Sequence, residues 1–202
     1  MKQSEFKRRR SQLMKMMGKN TIAILPSASQ IARNRDVDFP FRQDSDFLYL
    51  TGFNEPDAVM VLMPGRKHGE YILFCREKNP EQETWHGRRA GQEHAIETYG
   101  ADDSFPIDDI DDILPGLLES TDSIYNIMGR YPDFDHRLIG WVNHIKSQSR
   151  SGFHVPSEFV ALDYILHDMR LFKSREEIRL MRKAASISVT AHQRAMKLCR
   201  PG

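Results

Sequence analysis

The chain has 202 residues, 40% of them hydrophobic and 28% charged, with 29 basic side chains against 28 acidic ones. That apolar fraction suffices for a core and excludes a disordered tail, while a net charge of +1 offers no long-range attraction to nucleic acid or an anionic membrane. The length fits one domain, or one domain with a piece of another.

Met1 to Glu5 contains no apolar core of signal-peptide length, and no run approaches the ~20 apolar residues of a membrane helix. Ser4 to Met17 predicts a helix, with Phe6, Leu13, Met14 and Met17 on one face and Gly18 ending it. Its basic run, Lys7 to Arg10, reads as a solvated face or an interface, because no aromatic residues interleave it as base stacking requires. Thr21 to Leu25 predicts a buried strand closed by Pro26, followed by a polar loop, Ser27 to Asp38. An aromatic segment follows, in which Phe39, Phe41, Phe47 and Tyr49 are most simply core packing. Arg42, Asp44 and Asp46 most simply make loop hydrogen bonds or ion pairs.

Ala58 to Met63 and Glu70 to Phe74 predict a hairpin across the turn-rich Pro64 to Gly69. Asn79 to Gly91 reads as polar and irregular except for Trp85. Helices are predicted over Gln92 to Tyr99, Asp108 to Leu118 and Pro132 to Lys146, with a strand over Ser123 to Met128 and a linker over Ser147 to Gly152. Strands alternating with helices predict an α/β fold with a largely buried sheet. Ser174-Arg175-Glu176-Glu177 is a capping box that opens a long helix to about Leu198. Its stripe of Leu180, Ala184, Ile187, Ala191, Ala195 and Leu198 has no obvious partner in the first ~150 residues, so it predicts the first helix of a second domain.

Reactive constellations are missing. There is no His-Glu-x-x-His helix, Cys-x-x-Cys pair, Gly-x-Ser-x-Gly elbow or phosphate-binding glycine loop. The eight histidines are scattered, and His86, His94, His144, His167 and His192 lack zinc-ligand spacing. Asp102, Asp103, Asp108, Asp109, Asp111 and Asp112 fail the calcium-loop pattern and read as helix-start aspartates. Cys75, in an apolar strand-like run, and Cys199, at a helix end, do not form a disulfide framework, and a reducing cytoplasm fits them.

The segment from Asp38 to Pro56, containing Phe39-Pro40-Phe41-Arg42-Gln43 and Ser45-Asp46-Phe47-Leu48-Tyr49-Leu50-Thr51-Gly52-Phe53, resembles the hallmark of the aminopeptidase P amino-terminal domain. Glu83 to Gly91, with Trp85-His86-Gly87-Arg88-Arg89, is a second match. His167 to Ser174, leading into Ala191-His192 and Cys199 to Gly202, is a third. The resemblance implies a creatinase/prolidase-type architecture: an amino-terminal domain over 1–172 built as a mixed β-sheet flanked by helices, then 173–202 as the leading helix of a "pita-bread" metallopeptidase domain. In that family two Asp, one His and two Glu hold a dinuclear site, usually manganese, and all those positions would lie beyond Gly202. The chain alone is then expected to bind no catalytic metal and to cleave nothing. Its expected job is subunit assembly in a homo-oligomer and shaping the mouth of an enzyme that removes the residue ahead of proline. A free-standing interaction module and the amino-terminal domain of a prolidase or creatinase relative are the alternatives. A nucleic-acid binder is the least favoured.

Three residues are singled out. Trp85 has no apolar neighbour at helix or strand spacing, so it either anchors a loop on the core or is presented outward. By resemblance, the matching tryptophan is offered to the substrate pocket of a neighbouring subunit. Asp36 and Arg150 lie in polar loops, and the resemblance implies positions near the active-site entrance, where an arginine can meet a peptide carboxylate.

Overall fold

Thr21–Pro26 (β1) lies in the interior of a six-stranded sheet, between Val59–Leu62 (β2) and Ser123–Asn126 (β5). The computed structural model, which describes residues 1–119, 121–148 and 154–200, gives the order β4-β3-β2-β1-β5-β6. Here β3 is Tyr71–Cys75, β4 Asp103–Pro106 and β6 Glu158–Ala161. β1 pairs antiparallel with β2, and β2 antiparallel with β3, so the expected hairpin is present, while the β3–β4, β1–β5 and β5–β6 pairs are parallel. β2 alone therefore runs against the rest.

β2, β3 and, after Thr21, β1 are apolar throughout because both sheet faces are covered. Ile22, Ile24, Val61, Ile72, Phe74 and Ile124 face one way and pack with Ile110 and Leu114 of α5 (Ile110–Leu118) and Leu138, Trp141 and Ile145 of α6 (Pro132–Ser147). Residues that alternate with these, Ala23, Leu25, Met60, Leu62 and Leu73, are equally buried against the opposite layer. That layer contains α1 (Gln3–Met17), which packs against α2 (Ser45–Thr51).

The basic run of α1 departs from expectation. Arg9 and Arg10 are only 1% and 4% exposed, whereas Lys7 and Arg8 face solvent. Arg9 Nη1 donates to the Tyr49 carbonyl at 3.0 Å and Arg10 Nη1 to the Leu50 carbonyl at 2.9 Å. Their guanidinium carbons lie 4.0 Å and 3.9 Å from the ring centroids of Tyr49 and Tyr71. Two cations thus meet last-turn carbonyls at the negative end of α2, and aromatic faces shield what water would have solvated.

Several short elements also depart from expectation. Asn79–Gly91 is not irregular: Pro80–His86 is a helix (α3), with Asn79 Oδ1 accepting from the Gln82 N–H and Pro80 in the first turn. β4, β6 and Leu162–Leu171 (α7) were not anticipated, and the helix expected from Gln92 is Gly91–Glu97 (α4). Asp102 is not a helix cap, since its carboxylate takes the N–H groups of Glu70 and Tyr71, each at 2.9 Å. The linker expected over Ser147 to Gly152 lies mostly outside the described residues.

The chain divides into two compact units, one Lys2–Leu166 and the other Met1 with His167–Gly202. Within the second, Ser174 Oγ accepts from the Glu177 N–H while the Glu177 carboxylate takes the Ser174 N–H, so the expected capping box opens Arg175–Leu198 (α8). None of the residues of α8 is buried.

Candidate functional site

The hallmark segment is a set of mutually satisfied groups. Asp44 caps α2, accepting from the Asp46 and Phe47 N–H groups at 2.9 Å and 3.0 Å. Gln43, 3% exposed, accepts from the Ala28 and Asp44 N–H groups and donates to the carbonyls of Phe53 and Glu55. Arg130, from the loop after β5, reaches Asp44 at 3.1 Å and the buried Asp46 at 2.7 Å. Gly52, at φ +69°, lies so close to Phe6 that a Cβ would fall 2.6 Å from its ring. The expected hydrogen bonds and ion pairs of Arg42, Asp44 and Asp46 are present, with Arg42 reaching Ser45 Oγ. Phe47 is core, as expected, but Phe39 is 49% exposed and Phe41 only partly buried.

Those two rings line an open hollow of about 800 Å³ together with Pro40, Pro56 and Trp85. Trp85 stands on α3 with 83% of its surface exposed. Gly87 ends that helix at φ +83° with no atom within 4 Å of where a Cβ would be, so the turn is tight but unhindered. The polar side of the hollow is built from Glu55, Arg76, Arg88 and Arg89. Glu55 ties it together: its carboxylate takes the Ala90 N–H at 2.8 Å and pairs with Arg76 at 3.5 Å. Arg89 is fastened within the chain, to the Gln82 side chain and, through its own N–H, to the Glu83 carboxylate.

Asp36 is exposed in the loop bridged by Ala32 and Asp38, its N–H donating to Asn34 Oδ1 at 3.2 Å. It does not line the Trp85 hollow, although its loop neighbours Asp38 and Phe39 do. Arg150 lies outside the described residues. Among the described residues no three His, Cys, Asp or Glu side chains are grouped to hold a metal ion, so the residues present do not fit a dinuclear metal. No helix among them is long and apolar enough to cross a membrane.

The family model for the aminopeptidase P N-terminal domain matches residues 6–125. The chain belongs to the aminopeptidase P N-terminal domain family. The Xaa-Pro aminopeptidase of Escherichia coli is 39% identical over 199 residues, 98% of this chain and 45% of the relative. The solved structure of Pseudomonas aeruginosa aminopeptidase PepP is 60% identical and superposes with a TM-score of 0.98, covering 100% of this chain and 46% of that one. Escherichia coli aminopeptidase P with the inhibitor Pro-Leu superposes at 0.95 with 37% identity, covering 46% of that chain. The chain thus spans less than half the length of the curated relatives it matches.

Within an aminopeptidase P N-terminal domain, then, the hallmark residues are chiefly scaffold, and the exposed chemistry lies around Trp85. Sequence reading missed that Phe39 and Phe41 face this hollow. The available signal was Pro40 between them in a polar loop: a proline there removes a backbone donor and argues against a buried central strand. Glu55 and Arg76 carried no local signal, because their pairing joins the residues before β2 to those after β3, across the whole hairpin.

Proposed function

We propose that this chain is the N-terminal, non-catalytic part of a metal-dependent Xaa-Pro aminopeptidase that removes the residue preceding proline. On this reading residues 1–172 are the N-terminal domain and 173–202 lead into a metallopeptidase domain holding dinuclear manganese. The protein is a cytoplasmic homo-oligomer whose substrates are peptides with proline at the second position. The chain's contribution is assembly and the active-site mouth, with Trp85 presented to the substrate pocket of a neighbouring subunit and Asp36 and Arg150 near the entrance.

The observation that carries the reading is Trp85 itself. A rigid indole left 83% exposed on a short, polar helix contributes little to the core, yet its face packs well on a proline ring. The test is Trp85→Ala in the full-length protein, with kinetics on an Arg-Pro-Pro peptide. Turnover or affinity should drop at least about tenfold while the melting temperature moves by less than ~2 °C, since little buried area is lost. A mutant that melts several degrees lower with unchanged kinetics would make Trp85 a structural anchor and remove the reading.

A further inference from the structure

All strands but β2 run in one direction, so their carboxyl ends share one edge of the sheet. On that edge β1 and β5 are neighbours whose chains part. After β1 the chain moves toward β2, and after β5 it enters α6 and crosses to β6 on the other side. Loops that diverge from adjacent parallel strands leave a crevice between them, and in open α/β sheets ligands bind there. Here the crevice has a volume of about 340 Å³, walled by Pro26, Ser27 and Ser29 after β1 and by Arg130 to Phe134 after β5. It shares no lining residue with the Trp85 hollow.

Its walls are fixed by contacts within the chain. Ser27 Oγ accepts from the Ala58 N–H at 2.8 Å, which joins the end of β1 to the residue before β2. Phe134 meets Trp141 edge to face, with ring centroids 5.8 Å apart, and Arg130 is held by Asp44 and Asp46. Pro26, Ala58, Val59, Ile107 and Phe134 make much of the lining apolar. A preformed hollow of this size and character suits a small organic molecule.

The charges decide which kind. The lining contains two arginines, but both are committed: Arg130 serves two carboxylates, and Arg137 pairs with Asp111 at 3.0 Å. The carboxylates of the lining, Asp57 and Asp133, are exposed, and among the described residues neither has a side-chain hydrogen bond or ion pair. The amino end of α6 does not reverse this sign, because Pro132 brings no N–H and Asp133 and Asp135 already occupy its first turn. Negative charge therefore prevails. Among the described residues no three His, Cys, Asp or Glu side chains are grouped, so the excess is not arranged for a metal ion. An organic ammonium ion needs instead a carboxylate for its head and rings for its body, and Tyr131 and Phe134 bring the rings.

We propose that the crevice between the carboxyl ends of β1 and β5 is a binding site for small organic ammonium ions with an apolar body. Asp57 and Asp133 hold the charge, and Tyr131 and Phe134 pack the body. The proposal does not depend on the peptidase reading, since neither Trp85 nor Asp36 lines the crevice and binding is measured without turnover.

NMR titration of the isotope-labelled 202-residue chain tests it. The probes are similar in shape and differ in charge: 2-phenylethylammonium, 2-phenylethanol and 3-phenylpropanoate. The ammonium ion should shift the amides of Ser27, Ala58, Asp133 and Phe134 along one saturating curve, with a dissociation constant of about 1 mM, in keeping with its few heavy atoms. Its affinity should be about tenfold above that of the alcohol, and the propanoate should not saturate. The preference should shrink as salt shortens the Debye length. Asp57→Asn and Asp133→Asn should each weaken the ammonium ion about threefold, and the double variant should bind it no better than the alcohol. Asparagine tolerates the φ of +56° at Asp57, and both carboxylates are exposed, so melting temperatures should stay within ~2 °C of the parent. Asp112→Asn, which removes an exposed carboxylate of α5 outside the lining, should leave the affinity unchanged.

Equal affinity for the ammonium ion and the alcohol, or shifts that stay linear up to about 20 mM, would overturn the proposal. So would a loss in Asp112→Asn as large as that in Asp133→Asn, which would reduce the effect to net charge. A double variant that melts with the parent yet keeps the ammonium preference would do the same.

Discussion

Replacing Arg10 tests whether two buried arginines, and not apolar contact alone, hold α2 against α1. Arg10→Ala strands the Leu50 carbonyl, which now accepts from the guanidinium at 2.9 Å in a buried setting. An unmatched buried acceptor costs about 1–3 kcal/mol. The mutation also removes a cation 3.9 Å from the Tyr71 ring centroid, worth up to about 2 kcal/mol when desolvated. Against this stands the cost of burying a charge, the main influence pulling the Arg10 pKa below its ordinary value, and the mutation relieves it. The net expectation is a loss of roughly 3 kcal/mol for Arg10→Ala. Arg10→Met, which refills most of the volume, should lose about half of that. In a domain of this size those losses lower Tm by roughly 6–12 °C and 3–6 °C. Urea and thermal melts followed by the emission of the core residue Trp141 measure both. An Arg10→Ala protein within ~1 °C of the parent, or a Met variant worse than the Ala variant, would refute the strut.

Tyr71→Phe should be neutral or up to ~1 kcal/mol stabilising, because the Tyr71 hydroxyl is buried with no hydrogen-bond partner while its ring is what Arg10 uses; a loss above ~1 kcal/mol would contradict that accounting. Burial pushes the Cys75 thiol up from 9.0 to about 11, with the hydrogen bond to Ser104 pulling the other way. The folded chain therefore keeps a proton that the unfolded chain gives up, so this contribution is intact below about pH 9 and is lost as pH rises through about 11. Urea midpoints at pH 8 and 10.5 for the parent and Cys75→Ala read the effect, and identical slopes for the two would exclude it; Tyr131, raised to about 12 mainly by burial, adds its own decline at higher pH in both.

What the sequence disclosed divides along physical lines. β1 and the β2–β3 hairpin were legible because strands of a sheet covered on both faces are apolar almost throughout, and no helix of four to six residues competes with them, while in β5 only Ile124 and Tyr125 carried that signal. The start of α8 was legible because a capping box closes on itself within four residues, Ser174 to Glu177. β4 and β6 were not, because Asp103–Pro106 and Glu158–Ala161 are edge strands with little or no buried face to impose a pattern. α3 was overlooked although Asn79-Pro80 is a start signal, since its seven residues bury nothing and so lack periodicity. The fate of Arg9 and Arg10 was beyond sequence reading, because their acceptors, the carbonyls of Tyr49 and Leu50, lie 40 residues away. At the candidate site, Trp85 was visible as an aromatic without apolar company. The rings that join it were mistaken for core because nothing local distinguishes a buried phenylalanine from one beside a hollow.

The hallmark segment reaches that hollow through Gln43, which gives a last test of its purpose. Gln43 is buried with both ends of its amide in use: Oε1 accepts from Ala28 and Asp44, and Nε2 donates to Glu55 at 2.7 Å and Phe53 at 3.3 Å. Glu55, anchored by its carbonyl, uses its carboxylate to hold the Ala90 N–H and Arg76, so the hydrogen bonds run unbroken from the hallmark to the chain following Trp85. Gln43→Met keeps the size and removes every partner, and should cost about 3 kcal/mol at any pH. Gln43→Glu also loses the donor, and it sets a carboxylate against two carbonyls. Ionisation is disfavoured there, so its folded pKa is raised, and its deficit should shrink as pH falls and a proton restores one donor. Denaturant melts at pH 7 and pH 5 separate the two variants, and a deficit that is the same at both pH values for each would rule out the amide as the staple. Gln43 does not line the hollow itself but supports it from two sides, through the Glu55 carbonyl it holds and through the lining residue Phe41 two positions before it. That is the physical reason a scaffold motif and an exposed tryptophan belong to one device.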